Sequence, residues 1–470
     1  MKFRPALVLF GALVILLIAS AVPFEVRAGK TLVVKKFDLL AGLRARQPRP
    51  TVFAERLVRA LRLARSLPAA RRPVRLPDIP AADALGQPLE LAKDHSLDAF
   101  FEALAGLPGG DAIVRIAYFG DSIVEGDLIT QDLRARFQKT FGGSGAGYLP
   151  IASEVSPFRI TVHHDFALEW RTVSILQRKR EAEPGIAGLV FLPGCVQEEE
   201  AEPLCQAWVE YETSSRWRSL GDFKTLRVFY GRAEVPAALE WTADDGEPVS
   251  VGLEPGEEVR ETRIEPAAPA RKLRLTFRGR NAFSVFGTSW EGGPGVVIDN
   301  LALRGNSGLA LREIPLSMLQ AFNRLLGYKL IILHFGTNVT SAEQKEYSWY
   351  RAGMIRVVRH FQEAFPEASL LLIGAADRSV KDGTDYVTMP TLPALVEEQR
   401  KTAKATGVAF WDLFEAMGGT NAMVAWVGHK PPLAALDYTH LSAAGSRRVA
   451  DLLFGALMAR YRAFGGKDGR

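Results

Sequence analysis

Two distant stretches of this 470-residue sequence carry residue types that together can activate a nucleophile. Ser122 lies in YFGDSIVEGD, and Asp437 precedes His440 by three residues in DYTHLS. This spacing allows one short turn to bring the carboxylate to one imidazole nitrogen while the other nitrogen faces the serine. His440 would then accept the Ser122 proton and return it to a leaving alcohol, with Asp437 fixing the tautomer. Taken separately, the motifs also fit a turn serine and a surface or capping histidine.

A serine nucleophile also needs hydrogen-bond donors for the negative charge that develops on the attacked oxygen. The FGTN stretch offers the side-chain amide of Asn338. In DNLALRGNSG, Gly305 offers a backbone N–H that a ligand can approach closely, because glycine has no side chain. Gly308 in the same stretch is the alternative. We therefore predict an oxyanion hole formed by Gly305, Asn338 and the backbone amide of Ser122.

Apolar strands alternate with amphipathic helices in the segments that carry these residues. The predicted strands are AIVRIAYFG before Ser122 and, later in the chain, KLIILHFG, SLLLIGAAD and VAFWDLF. Strands that alternate with helices form a parallel sheet with helices on both faces, and ligands bind at the carboxyl ends of such strands. Ser122 and Asn338 each follow a predicted strand. Asp377 and Arg378 follow another, which makes them candidate substrate contacts.

The middle of the chain has a different character. Short β-rich stretches separated by turn residues run from about Phe158 to Val297, with few helical patterns. This spacing predicts an antiparallel β-sandwich, inserted between the first helix and the second strand of the α/β domain. The chain then has five segments, namely a signal peptide or membrane anchor (1–28), a basic Pro/Arg-rich stalk (29–90), the two parts of the α/β domain (91–157 and 298–470) and the inserted module (158–297).

The amino terminus predicts export. Lys2 and Arg4 precede an uncharged run from Ala6 to Phe24, which fits either a secretory signal peptide or a single membrane anchor. We favour an anchor, and the rest of the chain is exported in either case because positive charges stay on the cytoplasmic side. Between positions 44 and 75 the stalk has ten arginines and one acidic residue. A solvated linker is the simpler interpretation, and contact with anionic lipid or polymer is the other.

Composition and spacing argue against several other classes of protein. The content of 47% apolar and 24% charged residues is ordinary for a folded globular protein. The loop GGSGAGYLP lacks the Lys and Ser or Thr of a phosphate-binding P-loop. Cys195 and Cys205 do not have the spacing of a zinc or redox site, so they form either one disulfide or two buried thiols. We expect no metal, no organic cofactor and no nucleic-acid partner.

Together these pieces resemble the SGNH or GDSL hydrolase superfamily. Its four sequence blocks occur here in order, as GDS with Ser122, a stretch with an oxyanion glycine aligned to Gly305, GTN with Asn338, and DYTHLS with Asp437 and His440. Arg304 stands where the family usually has Asn or Gly before that glycine. The resemblance implies a flavodoxin-like three-layer α/β hydrolase domain and ester hydrolysis through an acyl-enzyme, without a cofactor.

A narrower resemblance is to exported peptidoglycan O-acetylesterases and related polysaccharide deacetylases of Gram-negative bacteria. It extends from about Ser96 to the carboxyl terminus and includes the FGGSGAGY loop and the DYTHLS ending. It implies removal of O-acetyl groups from a cell-envelope glycan, with the insert as a carbohydrate-binding-like module. Five tryptophans of the insert are either stacking platforms for sugar rings or, more simply, core and sheet-face residues: Trp170, Trp208, Trp217, Trp241 and Trp290.

Several alternatives to a glycan deacetylase remain at this stage. The same residues can transfer an acetyl group to another glycan, which depends on how well water is excluded. A lipid esterase or lysophospholipase would be compatible with a membrane anchor, and a glycan-binding protein that has lost catalysis would be compatible with the insert. We expect a periplasmic or cell-envelope location, anchored to the inner membrane or secreted. The sequence does not indicate an oligomeric state.

Overall fold

The computed structural model describes residues 24–28, 31–35, 87–107, 110–197, 203–231, 233, 236–256, 259–281 and 283–465. The chain divides into two compact units, residues 1–75 and 76–470. In the first unit, β1 (Phe24–Ala28) pairs antiparallel with β2 (Thr31–Lys35). The rest of the predicted anchor and nearly all of the predicted stalk lie outside the described residues. Among the described helices, none combines the length and apolar character that crossing a membrane requires.

The second unit contains twenty further strands in its described part. In chain order they are β3 (Glu90–Leu91), β4 (Ile113–Gly120), β5 (Gly147–Leu149), β6 (Val162–Phe166), β7 (Arg171–Ser174), β8 (Leu189–Leu192), β9 (Cys195–Val196), β10 (Leu204–Thr213), β11 (Thr225–Gly231), β12 (Ala237–Ala243), β13 (Val249–Leu253), β14 (Arg260–Ile264), β15 (Lys272–Arg280), β16 (Ser284–Glu291), β17 (Gly295–Asn300), β18 (Tyr328–His334), β19 (Ser369–Ile373), β20 (Ser379–Asp382), β21 (Asp385–Thr388) and β22 (Ala409–Trp411).

Eight α-helices accompany these strands in the described residues. They are α1 (Asp98–Ala105), α2 (Thr130–Phe141), α3 (Leu316–Leu326), α4 (Ser348–Ala364), α5 (Leu392–Thr406), α6 (Leu413–Met417), α7 (Ala422–Gly428) and α8 (Ala443–Gly465).

A parallel sheet forms the centre of the α/β domain. Its strand order is β17-β4-β18-β19-β22, with β3 added antiparallel at the β22 edge. The order of the five parallel strands along the sheet is the 2-1-3-4-5 order of flavodoxin-like folds. The prediction of a flavodoxin-like α/β domain is therefore confirmed.

Both faces of this sheet are buried, which explains why its strands read as continuous apolar runs. Along β4, Ile116 and Tyr118 belong to one hydrophobic cluster, whereas Ala117 and Phe119 belong to the other. The first cluster includes side chains of α1, α2 and α8. The second includes side chains of α3, α4 and α5. The helices thus form two layers around the sheet, as the alternation of strands and helices predicts.

Strands β5 to β16, here called the β-module, form two antiparallel sheets. The first has the order β13-β12-β15-β10-β6 with β9 paired to β10, and the second has the order β14-β11-β16-β8-β7 with β5 paired to β16. Val209 and Phe277 of the first sheet share one hydrophobic cluster with Val228 and Val285 of the second. The two sheets therefore share a single core. A disulfide joins Cys195 in β9 to its neighbour in β10, Cys205, which settles the alternatives for the two cysteines.

The second sheet of the β-module is also covered on its other face. Phe229 and Phe286 pack edge-on against Phe322 of α3, with ring centroids 5.5 and 5.8 Å apart. All eight residues of β16 are consequently buried, so this strand lacks the polar alternation expected of a sheet with one wet face.

The structure places the borders of the β-module differently from the predicted 158 and 297. Strand β5 lies before residue 158 but pairs with β16 of the module. Strand β17 begins at Gly295 but pairs in parallel with β4 of the α/β domain. Each border was missed for its own reason. Strand β5 has only three residues, too few for an alternating pattern, and the strands on the two sides of the EGGPG turn are equally apolar in sequence.

A buried set of charged side chains connects the β-module to the α/β domain. This joint cluster consists of Arg115 (β4), Arg227 (β11), Glu291 (β16) and Asp299 (β17). The Arg115 guanidinium donates to both Asp299 carboxylate oxygens at 2.9 Å and also to Glu291. Arg227 donates to Glu291 at 3.2 Å and to the carbonyl oxygen of Leu325 in α3 at 2.7 Å. Each charge therefore has an opposite charge within the cluster.

Candidate active site

Ser122 lies on a tight turn at the carboxyl end of β4. The backbone amides of Val124 and Glu125 both donate to the Asp121 carbonyl oxygen, at 3.1 and 3.2 Å. Gly120, the last residue of the strand, packs so closely that an added Cβ would lie 2.7 Å from the Val124 side chain. The sequence of the turn thus places the serine at the sheet edge where α/β folds bind ligands.

Asp437 and His440 lie on a second tight turn, which precedes α8. Both the Thr439 and the His440 backbone amides donate to Asp437 Oδ1 at 3.0 Å. The other carboxylate oxygen, Oδ2, lies 2.6 Å from His440 Nδ1. Ser442 then caps the helix, since its hydroxyl accepts a hydrogen bond from the Gly445 amide at 3.1 Å. One short turn therefore orients the imidazole, as the three-residue spacing predicts.

The fold brings the two turns together although they are more than 300 residues apart in the chain. Ser122 Oγ lies 2.9 Å from His440 Nε2, which completes a hydrogen-bonded relay from serine to histidine to aspartate. Partial burial raises the pKa of Asp437, but the hydrogen bonds from His440 outweigh it, so the pKa lies below its ordinary value. Asp437 is thus ionised when His440 would accept a proton.

Asp121, which precedes the serine, belongs to the site although no role was predicted for it from the sequence. Its side chain is 1% exposed. Oδ1 accepts a hydrogen bond from the Ile123 amide at 3.0 Å, and Oδ2 accepts one from Asn338 Nδ2 at 3.3 Å. Burial raises the pKa of Asp121 to about 6, although the Ile123 amide and the nearby His440 act in the opposite direction. Asp121 therefore links the nucleophile turn to the predicted oxyanion donor.

Asn338 follows β18 and its amide points toward the nucleophile turn. Nδ2 donates to Asp121 Oδ2 and also to the Asn306 carbonyl oxygen at 3.1 Å. These contacts fix the amide between the turn with Ser122 and the loop with Gly305. The structure thus brings the three predicted oxyanion stretches to one place, and the role of Asn338 as an oxyanion donor stays a prediction.

The two candidate glycines in the loop after β17 have different surroundings. Gly305 is exposed, and an added Cβ there would meet nothing within 4 Å. Gly308 is buried, its amide already donates to Asn306 Oδ1 at 2.8 Å, and an added Cβ would lie 2.9 Å from the Phe335 ring. Close packing against Phe335, the residue after β18, therefore accounts for Gly308, and Gly305 is the glycine that a substrate can approach.

The suggestion that Asp377 contacts substrate is wrong, because this side chain is fully buried. Its carboxylate accepts hydrogen bonds from the Thr388 hydroxyl at 2.9 Å and the Met423 amide at 2.7 Å. Arg378 is half-buried and donates to the Thr337 carbonyl oxygen at 3.1 Å. It therefore supports the loop that carries Asn338, and this contact gives it a structural role.

The β20-β21 hairpin packs beside the Asp437 turn and was not predicted to belong to the site. The Ser379 amide donates to the Tyr438 carbonyl oxygen at 3.0 Å. The rings of Tyr386 and Tyr438 are stacked, with centroids 3.7 Å apart and planes 4° apart. Tyr438 has a φ of 55°, a left-handed conformation that costs energy for a residue with a side chain. The hairpin thus holds this turn in shape.

The five tryptophans of the β-module divide into two groups. Trp290 is fully buried, and Trp170 is 7% exposed, with its indole N–H donating to the Trp208 carbonyl oxygen. Three are partly exposed at the margin of the module core: Trp208, Trp217 and Trp241. Arg274 lies 3.9 Å above the Trp208 ring.

Within the described residues, no group of three or more His, Cys, Asp or Glu side chains could hold a metal ion.

Comparisons with known proteins agree with this geometry. Residues 278–448 match the model of the GDSL-like Lipase/Acylhydrolase family. The matched range includes Asn338, Asp437 and His440 but less than half of the chain. Ser122 precedes it, and the fold returns this serine to His440. None of the curated proteins matches the chain.

A solved structure shares the fold of this chain. A structure described as "Peptidoglycan O-acetylesterase in action, 5 min" has a TM-score of 0.63 and 22% sequence identity, and the similarity covers 80% of this chain and 99% of that one. A family two carbohydrate esterase from Cellvibrio japonicus has a TM-score of 0.25 and 11% identity, over 62% of this chain and 98% of that one. The family-model match and the fold establish a GDSL-like hydrolase domain, and the chain is a serine hydrolase that acts on carboxylic esters.

Proposed function

We propose that this protein removes O-acetyl groups from a cell-envelope polysaccharide such as peptidoglycan, through an acyl-enzyme. The observation that carries the proposal is the assembled relay, with Ser122 Oγ 2.9 Å from His440 Nε2 and His440 Nδ1 2.6 Å from Asp437. The first distance is that of an ordinary hydrogen bond, and the second is as short as those formed by charged groups. The relay therefore needs no rearrangement before a proton moves from serine to histidine.

The first half-reaction transfers the acetyl group to the serine. Ser122 Oγ attacks the ester carbonyl carbon while His440 Nε2 accepts the hydroxyl proton, and the Asp437 carboxylate stabilises the imidazolium. The oxyanion of the tetrahedral intermediate accepts hydrogen bonds from the Gly305 and Ser122 amides and from Asn338 Nδ2, which exchanges its long 3.3 Å bond to Asp121 for the oxyanion. The C–O bond to the sugar then breaks, and the imidazolium protonates the sugar oxygen.

The second half-reaction releases acetate. Water attacks the acetyl-serine carbonyl while His440 accepts a water proton, and the returning proton restores the Ser122 hydroxyl. The side chains of His440 and Asp437 are 38% and 47% exposed, so water reaches the relay from solution. This exposure favours hydrolysis over transfer of the acetyl group to a second glycan.

Two observations support a glycan as the substrate. The β-module has partly exposed aromatic side chains on its margin, and aromatic rings can stack on sugars. A solved structure with the same fold over 80% of this chain is described as a peptidoglycan O-acetylesterase.

The charge-free run after Lys2 and Arg4 supports an envelope location, which is likewise part of the proposal.

Acetate release by the purified full-length chain tests the proposal. The substrates are O-acetylated peptidoglycan, p-nitrophenyl acetate and a long-chain p-nitrophenyl ester, each assayed with the wild type and Ser122→Ala. Ser219→Ala is the matched control, because Ser219 is an exposed serine of the β-module. We expect release from peptidoglycan and p-nitrophenyl acetate that requires Ser122 but not Ser219. Activity confined to the long-chain ester would identify a lipid esterase instead.

A further inference from the structure

A cleft of about 390 Å³ lies between the α/β domain and the β-module. Its volume is within the range of about 300–1,000 Å³ that is typical of ligand pockets. Residues 125–127, 300 and 302–304 form the wall on the side of the α/β domain. Residues of the β-module between positions 148 and 189 form the opposite wall.

The wall on the hydrolase side is continuous with the candidate active site. Glu125 is the third residue after Ser122, and Arg304 directly precedes Gly305. The Leu303 amide donates to the Gly120 carbonyl oxygen at 2.9 Å, so this loop runs beside the nucleophile turn. Any substrate that extends beyond its ester toward the β-module must therefore pass along the cleft.

One exposed apolar side chain lines the opposite wall, and a second one adjoins the cleft. Leu168 lines the cleft and is 89% exposed. Phe158 is 70% exposed and lies beside Gly126, since a Cβ added to that glycine would be 4.0 Å from the Phe158 Cβ. Exposed apolar side chains that adjoin a cleft mark a binding surface more often than isolated ones do.

Polar side chains also line the cleft. Glu125 and Arg304 form an ion pair of 2.7 Å at the cleft wall, and Ser153, Glu154 and Ser156 also line it. A fatty acyl chain would remove these groups from water without offering them hydrogen bonds, which costs free energy. A sugar chain presents apolar C–H faces and hydroxyl groups in alternation, so it matches both kinds of side chain.

Buried ion pairs beneath the cleft hold its two walls at a fixed distance. Asp127, in the wall on the side of the α/β domain, pairs with Arg134 of α2 at 2.8 Å and with Arg159 at 3.4 Å. The hydroxyl of Thr161, next to β6 of the module, donates to the same carboxylate at 2.8 Å. The cleft is thus formed before any ligand binds, which reduces the entropy cost of binding.

We infer that this cleft binds the part of a glycan chain that flanks the acetylated sugar, with Leu168 and Phe158 against the apolar faces of its sugar rings. The inference rests on the proposed function and names the region that would make the enzyme prefer a polymer to a small acetyl ester. Contacts in the cleft stabilise only the complex with the polymer, because p-nitrophenyl acetate is too small to reach the cleft while its ester lies at Ser122.

The test compares Phe158→Ser/Leu168→Ser with the wild type on sonicated O-acetylated peptidoglycan and on p-nitrophenyl acetate. Losing one or two apolar contacts raises KM for peptidoglycan by about 5- to 30-fold. KM and kcat for p-nitrophenyl acetate stay within about two-fold, because neither side chain touches the relay. The control is Val196→Ser, since Val196 is 71% exposed on β9 and does not line the cleft.

Any of three results would overturn the inference. They are an unchanged KM for peptidoglycan in the double variant, an equal loss for both substrates in that variant, and an equal rise in KM for peptidoglycan in the Val196→Ser control. If the wild type releases no acetate from peptidoglycan, the proposed function fails and the cleft is judged by binding of the same peptidoglycan to Ser122→Ala. Binding that Phe158→Ser/Leu168→Ser weakens would support the cleft, and equal or no binding would refute it.

Discussion

The joint cluster and the relay are two sets of charged and polar side chains attached to the same sheet, and they differ in their access to water. In the joint cluster, the side chains of Arg115 and Asp299 are 1% and 0% exposed. In the relay, the side chains of His440 and Asp437 are 38% and 47% exposed. Both sets contain a short contact between a carboxylate and a basic side chain. Burial therefore separates a structural cluster from one that can exchange protons with substrate and water.

The difference follows from the cost of removing charge from water. A buried ion pair loses its hydration, so each member depends on the other, and the cluster tolerates no change of charge. A half-exposed pair keeps part of its hydration and can change its charge during a reaction at modest cost. The joint cluster fixes the β-module to the α/β domain, and the relay remains free to react beside it.

Removing a member of the relay has the largest expected effect on activity. Ser122→Ala and His440→Ala should each lower kcat for p-nitrophenyl acetate by roughly 10⁴- to 10⁶-fold. The double variant should be no worse than either single variant, since the two side chains act as one unit. Initial rates measure the effect, and circular dichroism controls for folding. Independent, multiplicative losses would contradict a shared role.

Breaking the joint cluster has the next largest effect, on stability rather than on chemistry. Arg115→Met leaves Asp299 and Glu291 buried without their main partner, which should cost about 3–5 kcal/mol in the free energy of unfolding. The control is Arg136→Met, whose half-exposed arginine pairs with Asp451 and should cost less than about 1 kcal/mol. Urea unfolding measures both. Equal costs would remove the distinction between buried and exposed pairs.

Asn338 shares a feature with each set. Its amide is held by protein groups, as in the joint cluster, and it faces the nucleophile turn, beside the relay. Asn338→Ala should lower kcat about 100- to 1,000-fold, as expected for the loss of one oxyanion donor. Asn323→Ala is the matched control, since its amide donates to a helix carbonyl oxygen, that of Ala364. It should lower stability and leave kcat unchanged. Similar kcat values for both variants would show that Asn338 is not an oxyanion donor.

Asp121 should produce the smallest effect, visible in the pH dependence of stability. Because burial raises its pKa to about 6 in the folded state, the folded protein binds this proton more tightly than the unfolded chain. The contribution of Asp121 to stability is therefore present below about pH 4 and is lost as pH rises through about 6. Asp121→Asn should remove this loss, which is on the order of 2–3 kcal/mol. Urea unfolding from pH 4 to 7 would show it, and identical pH profiles would contradict it.

Local patterns in the sequence were sufficient to predict most of the α/β domain and the relay. The strands are continuous apolar runs because both sheet faces are covered, and the Asp437 to His440 spacing fits a single turn. The roles of Asp121 and Asn306 were missed, because their contacts with Asn338 join residues far apart in the chain. The hairpin beside Tyr438 was missed for the same reason. Such pairings depend on the folded sheet and leave no local periodicity.

Covalent labelling with a fluorophosphonate is a direct test of the relay, since this reagent reacts with serines that a neighbouring base activates. We expect one label per chain, found by mass spectrometry on the peptide that contains Ser122. Labelling should be absent in Ser122→Ala, much slower in His440→Ala and unchanged in Ser219→Ala. A label on another serine, or equal labelling rates in the wild type and His440→Ala, would contradict the relay.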